Sequence, residues 1–163
     1  MARTRARVDR QRRQTAAHEA AHAAVAWLIG HPVRVELSAP DAGATATLDR
    51  TPPANALLIA LAGILADPTA PPGLLCDRHV GDLVNVVRCA EHVNPADPEE
   101  AIRAGGLIVS RMLTWPRTRQ IMRVLTDALA ARGALSAEEV DAVIVQGLGA
   151  ILASDAAKDS ERS

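Results

Sequence analysis

Residues 15 to 30 read TAAHEAAHAAVAWLIG, and the interpretation of the whole chain starts from them. Alanine and larger apolar residues dominate the stretch, which favours a partly buried helix. Its histidines, His18 and His22, are four positions apart, and Glu19 directly follows the first. Residues four apart share one face of a helix, so both imidazoles can reach the same ion. The pattern is HExxH, in which two histidines bind zinc and the glutamate is the general base that activates a water molecule.

A catalytic zinc site needs a third protein ligand and one open position. The longer motif HExxHxxGxxH is excluded because Val25 and Leu28 occupy the positions of its glycine and third histidine. A glutamate from a following helix is disfavoured, because no glutamate lies between Glu36 and Glu91. A structural role without a metal is the alternative for the histidines, and they would then need other hydrogen-bond partners.

The composition limits the classes of protein that fit. The chain has 163 residues, 48% of them hydrophobic, which suffices for one domain with a core. It has no Phe and no Tyr, so alanine, leucine, valine and isoleucine fill the interior and favour helices. The formal net charge of −1 argues against a nucleic-acid partner. Six arginines among the first thirteen residues predict a solvated tail or helix start, with a membrane surface or an acidic partner as the alternative.

Cysteine number and apolar runs predict the compartment. Two cysteines do not form a disulfide framework, and the basic start leads into polar residues without an apolar signal segment. The longest apolar run, residues 56–66, is too short to span a bilayer. We therefore expect a cytoplasmic protein without a transmembrane segment, and a homo-oligomer stays open.

Apolar periodicity and turn residues predict a mainly α fold. We expect a bundle of about six helices with a small β-hairpin or sheet after the HExxH helix, formed by residues 33–38 and 44–49. Residues 1–13 are the basic segment, residues 14–156 a single domain, and residues 157–163 a disordered tail. The predicted helices span about residues 10–29, 51–67, 80–93, 97–115, 116–133 and 136–156.

Four blocks of sequence carry a family resemblance. They are HEAAHAAVAWL at 18–28, VRVELS at 33–38, LAGILAD at 61–67 and GDL at 81–83. In order and rough spacing they resemble the zinc helix, following strand, LAGRxAE segment and GAxNDL segment of the FtsH-type metalloproteases, over about residues 14 to 93. The resemblance implies a zincin-like helical fold and gives Asp82 the role of third zinc ligand. The start of a helix favours an ionised carboxylate, although an ordinary helix-start aspartate is the alternative.

Departures from the family pattern are few. Ala21 stands where the family has glycine, and Gly81 where it has asparagine. Asp67 replaces a glutamate; it could accept a hydrogen bond from a zinc-bound histidine, or simply end a helix. No GxxxxGK[ST] sequence occurs, so we expect a peptidase that works without its own ATPase motor.

The motifs Cys76-x-x-His79 and Cys89-x-x-His92 supply four possible ligands for a rival metal site. If residues 80–93 form one helix, His79 and Cys89 lie about 15 Å apart along the axis, too far for one zinc ion. The alternative is two buried thiols and two surface histidines. His79 remains a candidate ligand or a hydrogen-bond donor to the transition state because it is close to Asp82 in sequence.

These features together predict a zinc-dependent endopeptidase that acts on peptides or on unfolded and flexible protein segments. Glu19 would be its general base, and the strand containing Val33 and Val35 would accept the substrate backbone by edge addition. The alternatives are a non-catalytic metal-binding or interaction module with the same fold, and a helical adaptor that uses the arginine-rich start.

Overall fold

The computed structural model describes residues 2–66 and 79–160, with the side chains of residues 4–66 and 79–150. Within these residues the fold is mainly α, with six helices and one small antiparallel sheet of three strands, which confirms the predicted fold class. The elements are α1 Ala2–Leu28, β1 Val33–Ala39, β2 Ala42–Thr47, α2 Pro53–Ala66, α3 Val80–Val93, α4 Pro98–Thr114, α5 Pro116–Arg132, β3 Ala134–Leu135 and α6 Ala137–Ser160.

Helix α1 lies between two hydrophobic clusters. Ala20 and Ala24 are buried in a cluster with the sheet, α5 and α6, whereas Ala21 and Val25 are buried in a second cluster with α2, α3 and α4. Alanine side chains keep both sides of α1 thin, so neighbouring elements approach its backbone closely. A helix that is apolar on two sides in this way is buried rather than amphipathic.

The basic start of the chain is helical, and α1 begins at Ala2 rather than near residue 10. The guanidinium of Arg12 donates a hydrogen bond of 2.8 Å to the carbonyl of Ala130 in α5. Arg13 forms an ion pair with Asp127, also in α5. These contacts join the N-terminal half of α1 to α5, whereas residues 4–10 are exposed.

The sheet has the strand order β2-β1-β3. The predicted hairpin is present, with Val33 opposite Thr47 and Val35 opposite Thr45. The two-residue strand β3 was not predicted; it follows Gly133, which ends α5 with φ 86°, and pairs with the middle of β1. The central strand is therefore β1, and β2 has a neighbour on one side only within the described residues.

Capping residues place the remaining helices close to their predicted bounds, and α3 begins and ends as predicted. Asp97 accepts a hydrogen bond of 2.9 Å from the Glu100 amide at the start of α4. Ser136 and Glu139 form a capping box at the start of α6, with reciprocal bonds of 3.3 and 2.9 Å. Helix α6 continues to Ser160, four residues beyond its predicted end.

None of the helices in the described ranges combines the length and the apolar composition that crossing a membrane requires.

Candidate metal centre

Three side chains from two helices meet at one point. His18 and His22 project from α1, and Asp82 lies in the first turn of α3. His18 Nε2 lies 2.9 Å from Asp82 Oδ2 and 3.2 Å from His22 Nε2, and His22 Nε2 lies 3.4 Å from the same carboxylate oxygen. The structure thus brings together the three residues predicted as ligands, although more than fifty residues separate the helix motif from the aspartate.

The distances between these three atoms suit a shared metal ion. Ligands at 2.0–2.1 Å from a tetrahedral ion lie about 3.3 Å from one another. The three observed separations bracket that value. A His18–His22–Asp82 group could therefore hold a metal ion, and His22 and Asp82 also line the adjacent cleft.

The His22 imidazole is fixed in the form that a metal ligand needs. Its Nδ1 lies 2.6 Å from the carbonyl oxygen of Ile59 in α2. A carbonyl can only accept, so Nδ1 carries a proton, and loss of the second ring proton from Nε2 would leave a lone pair directed at the shared point. The backbone of α2 therefore sets both the orientation and the tautomer of this histidine.

The charges of the group stabilise one another. Burial raises the pKa of the Asp82 carboxyl, but hydrogen bonds to His18 and His22 outweigh burial and hold that pKa well below its usual range. Burial lowers the pKa of His22, but the hydrogen bond and charge of Asp82 outweigh it and leave the pKa raised. Asp82 is thus ionised at neutral pH, as cation binding requires.

His18 is held by stacking rather than by a second hydrogen bond. Its Nδ1 is buried and makes no hydrogen bond with the residues that the structure describes. The ring lies against His79, the residue before α3, with centroids 5.2 Å apart and an interplanar angle of 16°. His79 is fully buried, so the expectation of a surface histidine is wrong for this residue. Asp67, the predicted acceptor for a zinc histidine, lies outside the described residues.

Gly63 in α2 allows the two helices to approach at the site. A Cβ at this position would lie 2.3 Å from His22 Nε2 and 2.6 Å from His18 Cε1. These distances are far below van der Waals contact, so any side chain at residue 63 would displace the imidazoles. The glycine of the LAGILAD block therefore has a direct steric reason.

Glu19 lies beside the three ligands and faces the sheet. It is 5% exposed, and its Oε2 accepts a hydrogen bond of 2.8 Å from the hydroxyl of Thr45 in β2. Gly43 in the same strand leaves room for it, because a Cβ there would lie 2.7 Å from Glu19 Cγ. Strand β2 therefore packs directly on the predicted general base.

A cleft of about 400 Å³ opens beside these groups. Strand β2 forms one wall, and α2 with the start of α3 forms the other. Glu19, His22 and Asp82 all line it, so the candidate base and two of the three ligand residues are open to the same space. Other lining residues are Gly43, Ala44, Thr45, Thr47, Thr51, Ala56, Ile59, Ala60, Gly81, Asn85 and Cys89.

The rival cysteine–histidine site is not assembled by the described residues. Helix α3 is continuous, so His79 and Cys89 stay apart, and Cys76 lies outside the described residues. His92 is exposed and donates a hydrogen bond of 2.7 Å to the Arg88 carbonyl. Burial raises the pKa of the Cys89 thiol, which disfavours the thiolate that zinc binds.

His31, just after the end of α1, is buried and lies between two polar side chains. Its Nδ1 lies 2.9 Å from Asp49, and its Nε2 lies 2.8 Å from the Asn55 amide nitrogen. These bonds join the end of α1 to the segment after β2 and to the first turn of α2.

No family model matches the chain, and no curated protein matches it significantly. The geometry of the site and the sequence blocks are therefore the support for a functional assignment.

The sequence did not indicate three of the residues that shape the site. Thr45 belongs to a weak apolar–polar alternation, which carries no sign of a contact with Glu19. The carbonyl of Ile59 is a backbone group that any residue would supply. Gly63 was visible only as part of the block LAGILAD, without its steric reason.

Removing a ligand should abolish metal binding. We expect His18→Ala, His22→Ala and Asp82→Ala each to weaken Zn²⁺ binding more than about 100-fold, because changing even the partners of ligands costs roughly 10–100-fold. Competition with a chromophoric chelator measures this. His92→Ala is the control, since that exposed ring contacts its own helix. Unchanged binding in Asp82→Ala would remove the aspartate from the site.

Adding one methyl group at Gly63 should damage the same site. Gly63→Ala is expected to destabilise the protein by about 1–3 kcal/mol through overpacking and to weaken Zn²⁺ binding. Gly106→Ala, in α4 with open space around its Cα, is the matched control and should stabilise by about 0.5–1 kcal/mol. Thermal unfolding of both variants measures the change in stability, and metal titration measures the change in Zn²⁺ affinity. Wild-type metal affinity in Gly63→Ala would contradict the steric argument.

Proposed function

We propose that the protein is a zinc-dependent endopeptidase that resembles the FtsH-type peptidases and cleaves peptides or unfolded and flexible protein segments. The observation that carries this proposal is the arrangement of His18, His22 and Asp82 around one point, with Glu19 open to the same cleft. A site that only held a metal would need no carboxylate beside an open position. We propose that hydrolysis itself does not require ATP, and the cytoplasmic location stays a prediction.

Each residue has one role in the proposed reaction. His18, His22 and Asp82 hold the ion, and zinc, when bound, polarises the scissile carbonyl and acidifies water. Glu19 takes the proton of the attacking water and passes it to the leaving amine. Its burial at the end of the cleft keeps the carboxylate in place and limits its access to bulk water.

The open edge of the sheet in the described residues is not β1, the strand in which the substrate contacts were predicted. Val33 and Val35 were candidates for an open edge, but β1 pairs with β2 on one side and with β3 on the other, and both valine side chains are buried. The correction follows from β3, a strand too short to be predicted. Strand β2 is the open edge in the described residues, and it lines the cleft.

The pairing pattern shows which backbone groups of β2 face outward. The Leu48 amide donates to the Pro32 carbonyl at 2.9 Å, so this is a hydrogen-bonded pair of the ladder. Such pairs alternate in antiparallel strands, and the neighbouring pair of Val33 and Thr47 is therefore not bonded. The N–H and C=O groups of Gly43, Thr45 and Thr47 accordingly point away from β1. We propose that these groups bind the substrate backbone.

The general base can be tested without disturbing the metal. Glu19→Gln should lower kcat for peptide cleavage by at least roughly 100-fold, because general-base catalysis contributes about 10²–10⁴-fold, while Zn²⁺ content stays at the wild-type level. A peptide library with mass-spectrometric detection gives the substrate and the rate. Equal cleavage by both proteins would refute the proposed mechanism, whereas metal binding without any cleavage would favour the non-catalytic module.

If a substrate peptide adds to the edge of β2, N-methylation should affect its KM at alternate residues only. Two versions of one cleaved peptide are N-methylated at adjacent residues, both at least two positions from the scissile bond. In an added strand only one of the two N–H groups faces β2, so we expect KM to rise about tenfold for that peptide and to change little for the other. Steady-state kinetics compare them, and equal effects would rule out strand pairing.

A further inference from the structure

We propose that Thr45 is a positioning residue that holds the Glu19 carboxylate in its reactive orientation. The proposal rests on the proposed peptidase function and adds a residue outside the HExxH motif. It starts from one contact between the open strand and the base. The Thr45 hydroxyl lies 2.8 Å from Glu19 Oε2 and 3.2 Å from the Glu19 backbone oxygen, so this side chain reaches the carboxylate and the helix that carries it.

The orientation of a glutamate carboxylate is not fixed by the side chain itself. Rotation about its last bond is broad, because that torsion joins a tetrahedral and a planar carbon. Gly43 provides the space for this side chain, since a Cβ there would lie 2.7 Å from Glu19 Cγ and 3.0 Å from Oε1. The hydroxyl of Thr45 then anchors Oε2. With one oxygen engaged, the carboxylate plane is fixed and the other oxygen is left for the proton of the attacking water.

The position of Thr45 also connects the base to the substrate. Its side chain points toward α1, whereas its backbone groups belong to the outward-facing set of β2. A peptide paired with β2 would therefore be bound by the main chain of the residue whose side chain orients Glu19. This arrangement places the base at a fixed distance from the substrate backbone, and small errors in that distance reduce rates strongly.

Two variants separate the hydroxyl from the shape of the side chain. Thr45→Val keeps the branched shape and removes the hydroxyl, and we expect kcat to fall about 10–100-fold with KM and Zn²⁺ content unchanged, since hydrogen bonds to charged groups are the strong ones. Thr45→Ser restores the hydroxyl and should recover kcat to within about threefold. Loss of activity in both variants would point to packing and would overturn the proposal.

Thr15→Val is the matched control. The Thr15 hydroxyl also joins α1 to the hairpin, through a hydrogen bond of 2.9 Å to the Pro40 carbonyl, but it does not contact Glu19. The same substitution there should lower stability and leave kcat unchanged. A fall of kcat in Thr15→Val equal to that in Thr45→Val would show a general effect of loosening the hairpin and would overturn the specific role of Thr45.

An infrared measurement tests the contact independently of turnover. The carboxylate stretching band of Glu19, assigned by its loss in Glu19→Gln, should shift in Thr45→Val and not in Thr15→Val. Cleavage that depends on Glu19 but not on the Thr45 hydroxyl would refute this inference alone. Absence of any Glu19-dependent cleavage in the wild-type protein would refute the proposed function, and the positioning role with it.

Discussion

The close packing of α1 against α2 at Gly63 is the constraint on which the rest of the site depends. A single carbon atom added there would lie within 2.6 Å of both imidazole rings. The glycine brings the Ile59 carbonyl to His22 and places α2 as the wall of the cleft. Alanines on the two buried sides of α1 have a similar effect. They let the sheet and the neighbouring helices pack closely, and this packing fixes the rotation of α1 about its own axis. The histidines point toward α3 as a result, and Glu19 points toward β2.

The charges of the metal group follow from this packing. An aspartate near two histidines in a partly buried space is held as a carboxylate, because their hydrogen bonds outweigh the unfavourable effect of burial. The group could therefore hold a cation with Asp82 already ionised. Preorganised ligands of this kind need little rearrangement on binding, and their geometry persists only where neighbouring residues support it.

Much of the architecture could be predicted because its signals are local. Helix periodicity, Asp97, the Ser136 capping box and the stop after Asn94 depend on residues near one another, and so α3 has its predicted bounds. The convergence of Asp82 with the histidines is a long-range contact, and only the comparison of sequence blocks anticipated it. Strand β3 had no usable signal, because two residues cannot show a period. Because β3 was not predicted, β1 was wrongly expected to be the open edge. The Thr45–Glu19 contact could not be predicted because it depends on tertiary structure alone.

The open edge of β2 has a consequence for the molecule in concentrated solution. Unpaired backbone groups of a strand do not distinguish a substrate from another copy of the same chain, and exposed edges are where β-proteins join one another. Proteins usually guard such edges with charged residues or proline, yet these would obstruct a peptide here. Strand β2 is instead short and made of alanine, glycine and threonine, with an irregular register at Leu37 and Ala39 of its partner strand. The small side chains of β2, rather than charged residues or proline, would limit its pairing with another copy and leave the edge free for the proposed peptide.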